Sequence, residues 1–491
     1  MNRSHSFAVM WCSICAAVLP GSGVCASEPL VQRRESFDTD PGWQVYRNRL
    51  LPDSLPAVKQ DFGFSPTQFA GGAKAGEIGG RVHRSTTPAC YYRSISPLTL
   101  NDSFTASGRF SVRQAAGSSG VMLGWFHESS RGWRTPNSVA LRIDGNDGKY
   151  WVFWEYGTQN GRTGGAGAFE GERYQTTTTR PYAADGTSHQ WSLSWNPHAA
   201  DEHGLLTLTI DDHAFPSVAF TDIDRQDGIQ LNRFGIWNVQ IAGSPLEFYI
   251  DDLTLNGVPV SSEENSGWEG HGNRVEFHDR IVRPLHDFGF RTSSTIDDTG
   301  GELGGVIFRD EKPCWYAAGV GRITLEDPLH ASGTVVMHSS AADSGFCIGW
   351  FNSAAKREHI LAEHQQASSD LLAVMIEGPS RIGHYFRATY RTTQREGVVD
   401  SQDVVGVGSL PVLRADKKTH TWQLNYNPAG SDGLGTIETV FDGDLRSISL
   451  RPGDRERGAV FDSFGVFNIQ SGGHHVEFSI DDLNFTSRSL R

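Results

Sequence analysis

Short runs in which apolar and polar residues alternate recur along the whole chain. From Gln190 to Trp195 every second residue is apolar, and from Leu205 to Ile210 apolar residues alternate mainly with threonines. A period of two is typical of a β-strand that buries one face. Asp-Gly turns such as Asp144-Gly145 separate the runs, and a helical pattern is plausible only over 353–366. The pattern predicts an all-β fold of antiparallel strands.

The same unit occurs twice in the sequence. DFGF stands at 61–64 and 287–290, and GWF at 124–126 and 349–351. Each copy opens with Gly-Trp and then Asn-Arg, at 42–43 and 48–49 in the first and at 267–268 and 273–274 in the second. A repeat offset of 225 to 231 residues is that of a whole domain. Because the polar segment 259–266 separates the copies, we predict two tandem β-sandwich (jelly-roll) domains, at 30–258 and 262–491.

The first 26 residues have the features of a secretory signal. Arg3 precedes an apolar stretch from Phe7 to Leu19, and Val24-Cys25-Ala26 fits a small-residue cleavage site. Lipidation of Cys25 is the alternative interpretation. No other apolar run approaches the roughly 20 residues of a spanning helix. We therefore expect a secreted or periplasmic protein, after signal cleavage, with no membrane span.

Composition and charge narrow the class of partner. The 491 residues include 13 Trp, 12 Tyr and 27 Phe, more aromatic rings than disordered chains carry. The formal net charge is −14. Phosphate backbones need a basic surface, so nucleic acid is not an expected partner. Three cysteines remain after the signal, and an odd number excludes a complete disulfide framework.

The end of each copy carries a family resemblance. Phe234-Gly235 precedes a last strand EFYIDDL at 247–253, and Phe464-Gly465 precedes EFSIDDL at 477–483. This pattern resembles concanavalin A-like lectin/glucanase sandwiches, including laminin-G-like domains. The opening FDTDPGW at 37–43 is similar to the start of such modules in secreted bacterial proteins, and the double unit resembles two-copy proteins of that kind. The resemblance implies a concanavalin A-like sandwich in each copy. That fold hosts lectins, hydrolases, lyases and adhesion modules, so it implies no single function.

Positions at which the copies differ are candidates for function. In the strand Tyr150 to Tyr156, one face is apolar in both copies and should lie in the core. The other face carries Trp151, Phe153 and Glu155, and we expect it to be exposed, because rings stack on sugars while polar groups fix their hydroxyls. A strand covered by a loop is the alternative. The counterparts in the second copy are Tyr385, Arg387 and Thr389.

Two further groups of residues complete the candidate site. Arg81 and His83 are polar where the second copy has Val306 and Phe308, and a loop with His127, Trp133 and Arg134 follows the shared GWF. The candidate catalytic residues are Glu155, His83, Arg81 and Arg134. The candidate substrate-binding residues are Trp151, Phe153, Trp133, His127, Tyr385, Arg387 and His384.

These groups suit a protein that acts on extracellular polysaccharide or oligosaccharide. Hydrolysis generally needs two carboxyl groups, and the Glu-x-Asp-x-Glu signature of retaining glucanases is absent. A lyase needs a base and a cation that neutralises a uronate, for which the arginines and histidines are the right types. We predict a lyase or hydrolase; the alternatives are a non-catalytic glycan-binding protein and a structural or adhesion protein.

A structural Ca²⁺ ion is also predicted, by analogy with similar sandwiches. There an aspartate at the end of the last strand binds calcium together with an acidic residue near the domain start, since Ca²⁺ prefers oxygen ligands. The corresponding residues are Asp252 and Asp40 in the first copy and Asp482 in the second. The alternative is that these aspartates cap a β-bulge.

Overall fold

The computed structural model describes residues 28–166, 181–262, 266–296, 300–354, 369–380, 382–394 and 410–489. The described chain consists almost entirely of antiparallel strands, which confirms the predicted all-β class. The signal segment and most of the plausible helix at 353–366 lie outside these residues. Among the helices of the described ranges, none has the length and apolarity needed to cross a membrane.

The described residues before 260 form nineteen strands and one helix. They are β1 Leu30–Glu35, β2 Gln44–Tyr46, β3 Arg49–Leu50, β4 Ala57–Ser65, β5 Glu77–His83, β6 Cys90–Thr99, β7 Phe104–Ala115, β8 Ser119–Phe126, β9 Ser138–Asn146, β10 Lys149–Gly157, β11 Thr163–Ala166, β12 Tyr182–Ala183, β13 Ser188–Asn196, β14 Leu205–Ile210, β15 His213–Ala214, β16 Val218–Ala219, α1 Asp222–Asp227, β17 Gln230–Asn238, β18 Pro245–Leu255 and β19 Val258–Pro259.

In the described ranges after residue 260 there are fifteen strands, one short helix and one 3₁₀ turn (Ser431–Gly433). They are β20 Glu269–His271, β21 Arg274–His278, β22 His286–Arg291, β23 Glu302–Phe308, β24 Trp315–Thr324, β25 Leu329–Ser340, β26 Ser344–Phe351, β27 Leu371–Gly378, β28 His384–Arg391, β29 Val412–Leu413, β30 His420–Asn427, β31 Thr436–Phe441, β32 Asp444–Ser449, α2 Asp454–Arg457, β33 Val460–Asn468 and β34 His475–Arg488.

These strands form two β-sandwiches, each with its own core. The first sandwich consists of sheet 1a, in the order β15-β14-β13-β7-β18-β5-β4-β21, and sheet 1b, in the order β11-β10-β9-β8-β17-β6-β20. Its core joins residues such as Phe62 and Phe110 of sheet 1a to Leu123 and Trp125 of sheet 1b. Because both sheets direct alternate apolar side chains into one cluster, the period-two pattern of the sequence corresponds to the inner faces.

The second sandwich repeats this design. Sheet 2a has the order β3-β22-β23-β34-β25-β30-β31-β32, and sheet 2b has the order β2-β24-β33-β26-β27-β28-β29. Phe288 and Phe478 of sheet 2a meet Trp350 and Phe464 of sheet 2b in one cluster. The predicted fold of two tandem homologous sandwiches is therefore present in the structure.

The two copies exchange their opening segments. Residues 30–50, which we call the first arm, pair with the second sandwich: β1 with β34, β2 with β24 and β3 with β22. Residues 267–278, the second arm, pair with the first sandwich: β20 with β6 and β21 with β4. Each sandwich is thus completed by the start of the other copy. Strand pairing therefore crosses the predicted sequence boundary at 259–266. The first arm is part of the first copy in sequence but lies on the second sandwich, and the second arm is part of the second copy but lies on the first sandwich.

The exchange brings the two ends of the described chain together. The Ser489 N–H donates to the Pro29 carbonyl over 3.0 Å. In the first copy, the matching place beside the last strand is taken by β19, which forms a hairpin with β18. In the second sandwich β1 therefore lies beside the last strand, β34, at the position that β19 takes beside β18 in the first sandwich.

Candidate functional site

The predicted sugar face of β10 is covered rather than open. Phe153 is 1% exposed and Glu155 is 6% exposed, while Trp151 is half-buried. The expectation that this face is exposed is wrong for Phe153 and Glu155. The physical reason is that the loop after β8 folds back over the outer face of sheet 1b, where the Trp133 ring lies 5.6 Å from the Arg142 guanidinium.

A buried ion cluster lies under this loop. Arg142 donates from Nη1 to Glu155 Oε2 over 2.8 Å and from Nε to Asp144 Oδ1 over 3.2 Å, and its guanidinium also stands 5.3 Å from the Phe153 ring. Burial alone would lower the pKa of Arg142, but the carboxylates of Asp144 and Glu155 outweigh it and raise that pKa above its usual value. Glu155 is therefore committed to a structural ion pair, as in the covered-strand alternative.

The predicted catalytic residues do not converge. His83 is buried on the outer face of sheet 1a, where Nε2 faces the Gly243 carbonyl at 3.1 Å, and burial lowers the pKa of His83. Arg81 lies exposed on the same strand. Glu155 lies on the outer face of sheet 1b, on the other side of the core from both. Arg134, in the loop, donates to Thr163 Oγ1 and to the Ser380 carbonyl, each over 3.1 Å.

The remaining predicted binding residues are also separated. His127 is half-buried in the loop, with Nδ1 2.7 Å from Ser129 Oγ. His384, Tyr385 and Arg387 lie on β28 of the second sandwich. His384 is buried against Ser344. Arg387 is 1% exposed and forms an ion pair with Glu377, so both side chains are enclosed within the second sandwich. Tyr385 is half-buried.

Asp252 and Asp482, which were predicted to bind calcium, each lie in a β-bulge of the last strand of their sandwich. The pairing of β18 with β7 shifts register between Asp251 and Thr254, and Asp252 has a φ of 51°. Asp252 pairs with Arg109 at 3.4 Å, and Asp482 pairs with Arg34 at 3.8 Å. Asp40 belongs to the first arm, on the second sandwich, so it is not the neighbour of Asp252 that the prediction requires.

No group of three or more metal-ligating side chains occurs in the described ranges, and calcium binding stays a prediction.

An open cleft lies elsewhere on the outer face of sheet 1b. It measures about 290 Å³ and lies between the loop after β8 and the edge strand β20 of the second arm. Three aromatic side chains, Tyr92, Phe126 and Trp237, line it beside Cys90. The other lining residues are Pro88, Ala89, Glu128, Ser130, Arg131, Thr135, Arg233, Gln240 and His271. The cleft therefore combines apolar rings with many hydrogen-bonding groups, and His271 comes from the other copy.

A row of polar contacts crosses the mouth of the cleft. Arg233 stands 4.0 Å from the Tyr92 ring and pairs with Glu128 at 3.5 Å. The Tyr92 hydroxyl donates to Glu269 Oε2 of the second arm over 3.2 Å. Burial raises the pKa of Tyr92, helped by Glu269, so its hydroxyl stays a donor at neutral pH. Arg131 is held by the Glu128 and Ser130 carbonyls.

The second sandwich has different side chains at the equivalent positions. Strand register aligns Cys90 with Trp315, and His271 with Tyr46. Trp315 packs against Tyr46 at 5.7 Å and Phe351 at 5.9 Å between ring centroids, so an indole stands where the first sandwich has a small thiol. The same register aligns Tyr92 with Ala317 and Arg233 with Ser463.

Sequence reasoning missed the cleft, although a signal for part of it existed. Arg233 precedes a Phe-Gly that both copies share, and the second copy has Ser463 there. Comparison of the copies at that motif could have selected Arg233. His271 could not be found in this way, because its contact with the first copy depends on the exchange of the arms.

Comparison with known proteins adds structural neighbours but no family. No family model and no curated protein matches the chain. The neighbours are concanavalin A-like β-sandwiches, the fold that the sequence motifs predict. Domains LG4–5 of the mouse laminin α1 chain are 11% identical, with a TM-score of 0.24, and the match covers 89% of this chain and 92% of that one.

Two further neighbours match 42–43% of this chain. An alginate lyase solved with an alginate trisaccharide is 11% identical over 88% of its length, with a TM-score of 0.26. A lectin from Bauhinia forficata, solved with GalNAc, is 13% identical over 96% of its length, also with a TM-score of 0.26.

Proposed function

We propose that the protein binds saccharides in the cleft of the first sandwich. The observation that supports this is that one open cavity of about 290 Å³ is lined both by aromatic rings and by hydrogen-bond donors and acceptors. Sugar rings present C–H faces that pack on aromatic side chains and hydroxyl groups that need directed partners. With the first 26 residues predicted to be a secretory signal, the ligand would be met outside the cytoplasm.

Each side of the cleft has a role in this proposal. Tyr92, Phe126 and Trp237, each no more than 6% exposed, contribute their accessible ring edges as the apolar part of the cleft. Arg233 is positioned by Glu128 and Tyr92, so its guanidinium is ordered before ligand arrives, which reduces the entropy lost on binding. His271 contributes a ring nitrogen from the opposite edge.

Binding without catalysis fits these side chains better than hydrolysis does. Glu128 is the carboxylate among the described lining residues, and it is paired with Arg233. Tyr92 stays protonated, which suits donation and not the base of a lyase. Cleavage is the second candidate, because Glu128 and Glu269 both contact the Arg233–Tyr92 pair, one from each end.

The test replaces cleft residues by those that the other copy carries. Tyr92→Ala and Arg233→Ser each introduce the side chain found at the matching position of the second sandwich, so the fold should tolerate them. We expect each to weaken saccharide binding at least about tenfold, the effect of roughly 1.4 kcal/mol. Binding is measured by a glycan array followed by calorimetry on the best oligosaccharide.

Arg109→Thr is the matched control. It also removes an arginine in favour of the other copy's residue, Thr334, but on the opposite sheet, where its ion pair with Asp252 is half exposed. Equal affinity in Tyr92→Ala, Arg233→Ser and Arg109→Thr would refute the cleft as the site. Release of reducing ends or ultraviolet-absorbing unsaturated sugars, lost in Glu128→Gln and Glu269→Gln, would favour cleavage instead.

A further inference from the structure

The arms are held by the same contacts in both sandwiches. Asn48 Nδ2 donates to the Phe288 carbonyl over 2.5 Å, and Asn273 Nδ2 donates to the Phe62 carbonyl over 2.5 Å. In return the Phe288 and Phe62 N–H groups donate to the Asn48 and Asn273 carbonyls, each over 3.0 Å. Each arm thus binds the DFGF strand of the other copy by its backbone and by one amide side chain.

An arginine and a tryptophan complete each contact. Arg49 donates to the Phe290 carbonyl over 3.1 Å, and Arg274 to the Phe64 carbonyl over 2.9 Å. Trp43 stacks on Tyr316 at 5.5 Å, and Trp268 stacks on Tyr91 at 5.6 Å. The Gly-Trp and Asn-Arg motifs that mark the repeat are therefore the groups that dock the arms.

The surface of the second sandwich that binds the first arm, which we call the groove, runs along β22, β24 and β34. Phe37 is 0% exposed and Trp43 is 7% exposed in the second core. The first arm joins its own copy only through residues 51–56 (LPDSLP). Pro52 and Pro56 restrict the backbone of this link, and bends at residues 53 and 54 lie between them. The arm contacts described above are all made by residues of the arm, so an arm from another chain can make the same contacts.

We infer that two copies of this chain can exchange their first arms, so that the arm of one copy fills the groove of the other in place of that copy's own arm. In such a dimer each chain would place residues 30–50 in the second sandwich of the other, a closed and reciprocal exchange. The contacts are those of the monomer, so concentration during folding decides the outcome. Withdrawal of Phe37 and Trp43 from the core makes exchange slow once the chain has folded.

The experiment uses a disulfide that reports which chain an arm belongs to. Arg34 of β1 lies directly opposite Asn484 of β34, a spacing that a disulfide can span. One full-length chain carries Arg34→Cys and a second carries Asn484→Cys. The two are unfolded together in denaturant and reducing agent, refolded dilute and concentrated, and then oxidised. Mass spectrometry of the linked peptides identifies the 34–484 disulfide.

Exchange predicts a 34–484 link between the two different chains. While dimers are a minor species, the linked fraction should rise about tenfold for a tenfold increase in chain concentration. A chain with both substitutions is the positive control, because it should form the link within the monomer. Arg34→Cys with Val258→Cys, an exposed position away from β1, measures random collision.

The result that would overturn the inference is a 34–484 link between chains no more frequent than the 34–258 link at every concentration, while the double variant links internally. If refolding from denaturant fails, the two folded variants are mixed and incubated near the onset of unfolding. The same linked peptide then supports exchange, and its absence refutes it.

Discussion

Two buried histidines and one half-buried histidine of the second sandwich make stability sensitive to acid. Burial lowers the pKa of His384 to about 3, of His475 to about 3 and of His474 to about 4, and nearby cationic or imidazole groups act in the same direction. In the unfolded chain a histidine titrates near 6.5. The unfolded state therefore takes up protons first as the pH falls below 6.5, and the free energy of unfolding declines.

His384→Gln should remove one part of this pH dependence. The amide can keep a hydrogen bond to Ser344 Oγ, which lies 2.8 Å from His384 Nε2, but it does not titrate. Between pH 6.5 and pH 5 the buried imidazole costs about 1.6 kcal/mol of unfolding free energy, so the variant should lose that much less stability over this interval. Urea unfolding at several pH values measures it.

His198→Gln is the control, because the His198 side chain is 72% exposed. It should reproduce the wild-type decline. Parallel pH profiles for His384→Gln and the wild type would contradict the prediction.

At the scale of elements, the copies place their buried cation on different strands. Arg142 of β9 lies opposite Phe153 of β10, whereas in the second copy Met375 of β27 lies opposite Arg387 of β28. Each arginine pairs with a carboxylate, Glu155 or Glu377. The outer face thus retains one cation and one apolar side chain in each copy, with their strands interchanged.

This interchange predicts a compensating pair of substitutions. Arg142→Met alone leaves Glu155 buried without its cation and should cost about 3–5 kcal/mol of unfolding free energy. Adding Phe153→Arg returns a guanidinium to the neighbouring strand, so the double variant should recover at least about 1 kcal/mol. A double-mutant cycle by chemical denaturation measures the coupling, and simply additive losses would disprove it.

Local sequence patterns predict strands better than they predict whether a loop covers the outer face of a strand. The alternation in β13 and the Asp-Gly turns are set by neighbouring residues, so the sequence was sufficient to predict strands and the repeat. Glu155 is buried because the loop with Trp133 folds back over the sheet. The alternation of residues in β10 does not indicate that this loop is there. The charged Arg142 within an otherwise apolar run was the available sign that the outer face is covered.

The pairing of the arms was likewise not predictable. Both copies carry Gly-Trp, Asn-Arg and DFGF, so the sequence does not say whether an arm binds its own copy or the other. The crossover at 51–56 decides this, together with the neighbouring crossover at 279–285, whose Asp279 N–H donates to the Pro56 carbonyl over 3.0 Å.

At the scale of the whole molecule, the exchange should hold the halves together without the linker. A protease site introduced into 259–266 allows the chain to be cut after folding. We expect the two fragments to co-elute in size-exclusion chromatography, because each retains an arm within the other's sheets. They should separate only in denaturant.

Trp43→Ala with Trp268→Ala provides a comparison, since it removes both docked rings. The cut variant should dissociate more readily than the cut wild type. Separation of wild-type fragments in native buffer would show that the arms do not bind strongly enough for the pairing described.

The adjacency of Pro29 and Ser489 also decides how the molecule responds to tension. Leu30 lies opposite Arg488, so a force applied at Pro29 and Ser489 loads one end of the β1–β34 ladder. Antiparallel hydrogen bonds loaded in this way break one after another rather than together. The first strand would peel off at low force, and sustained mechanical resistance would begin only when the pull reached Phe37 and Trp43.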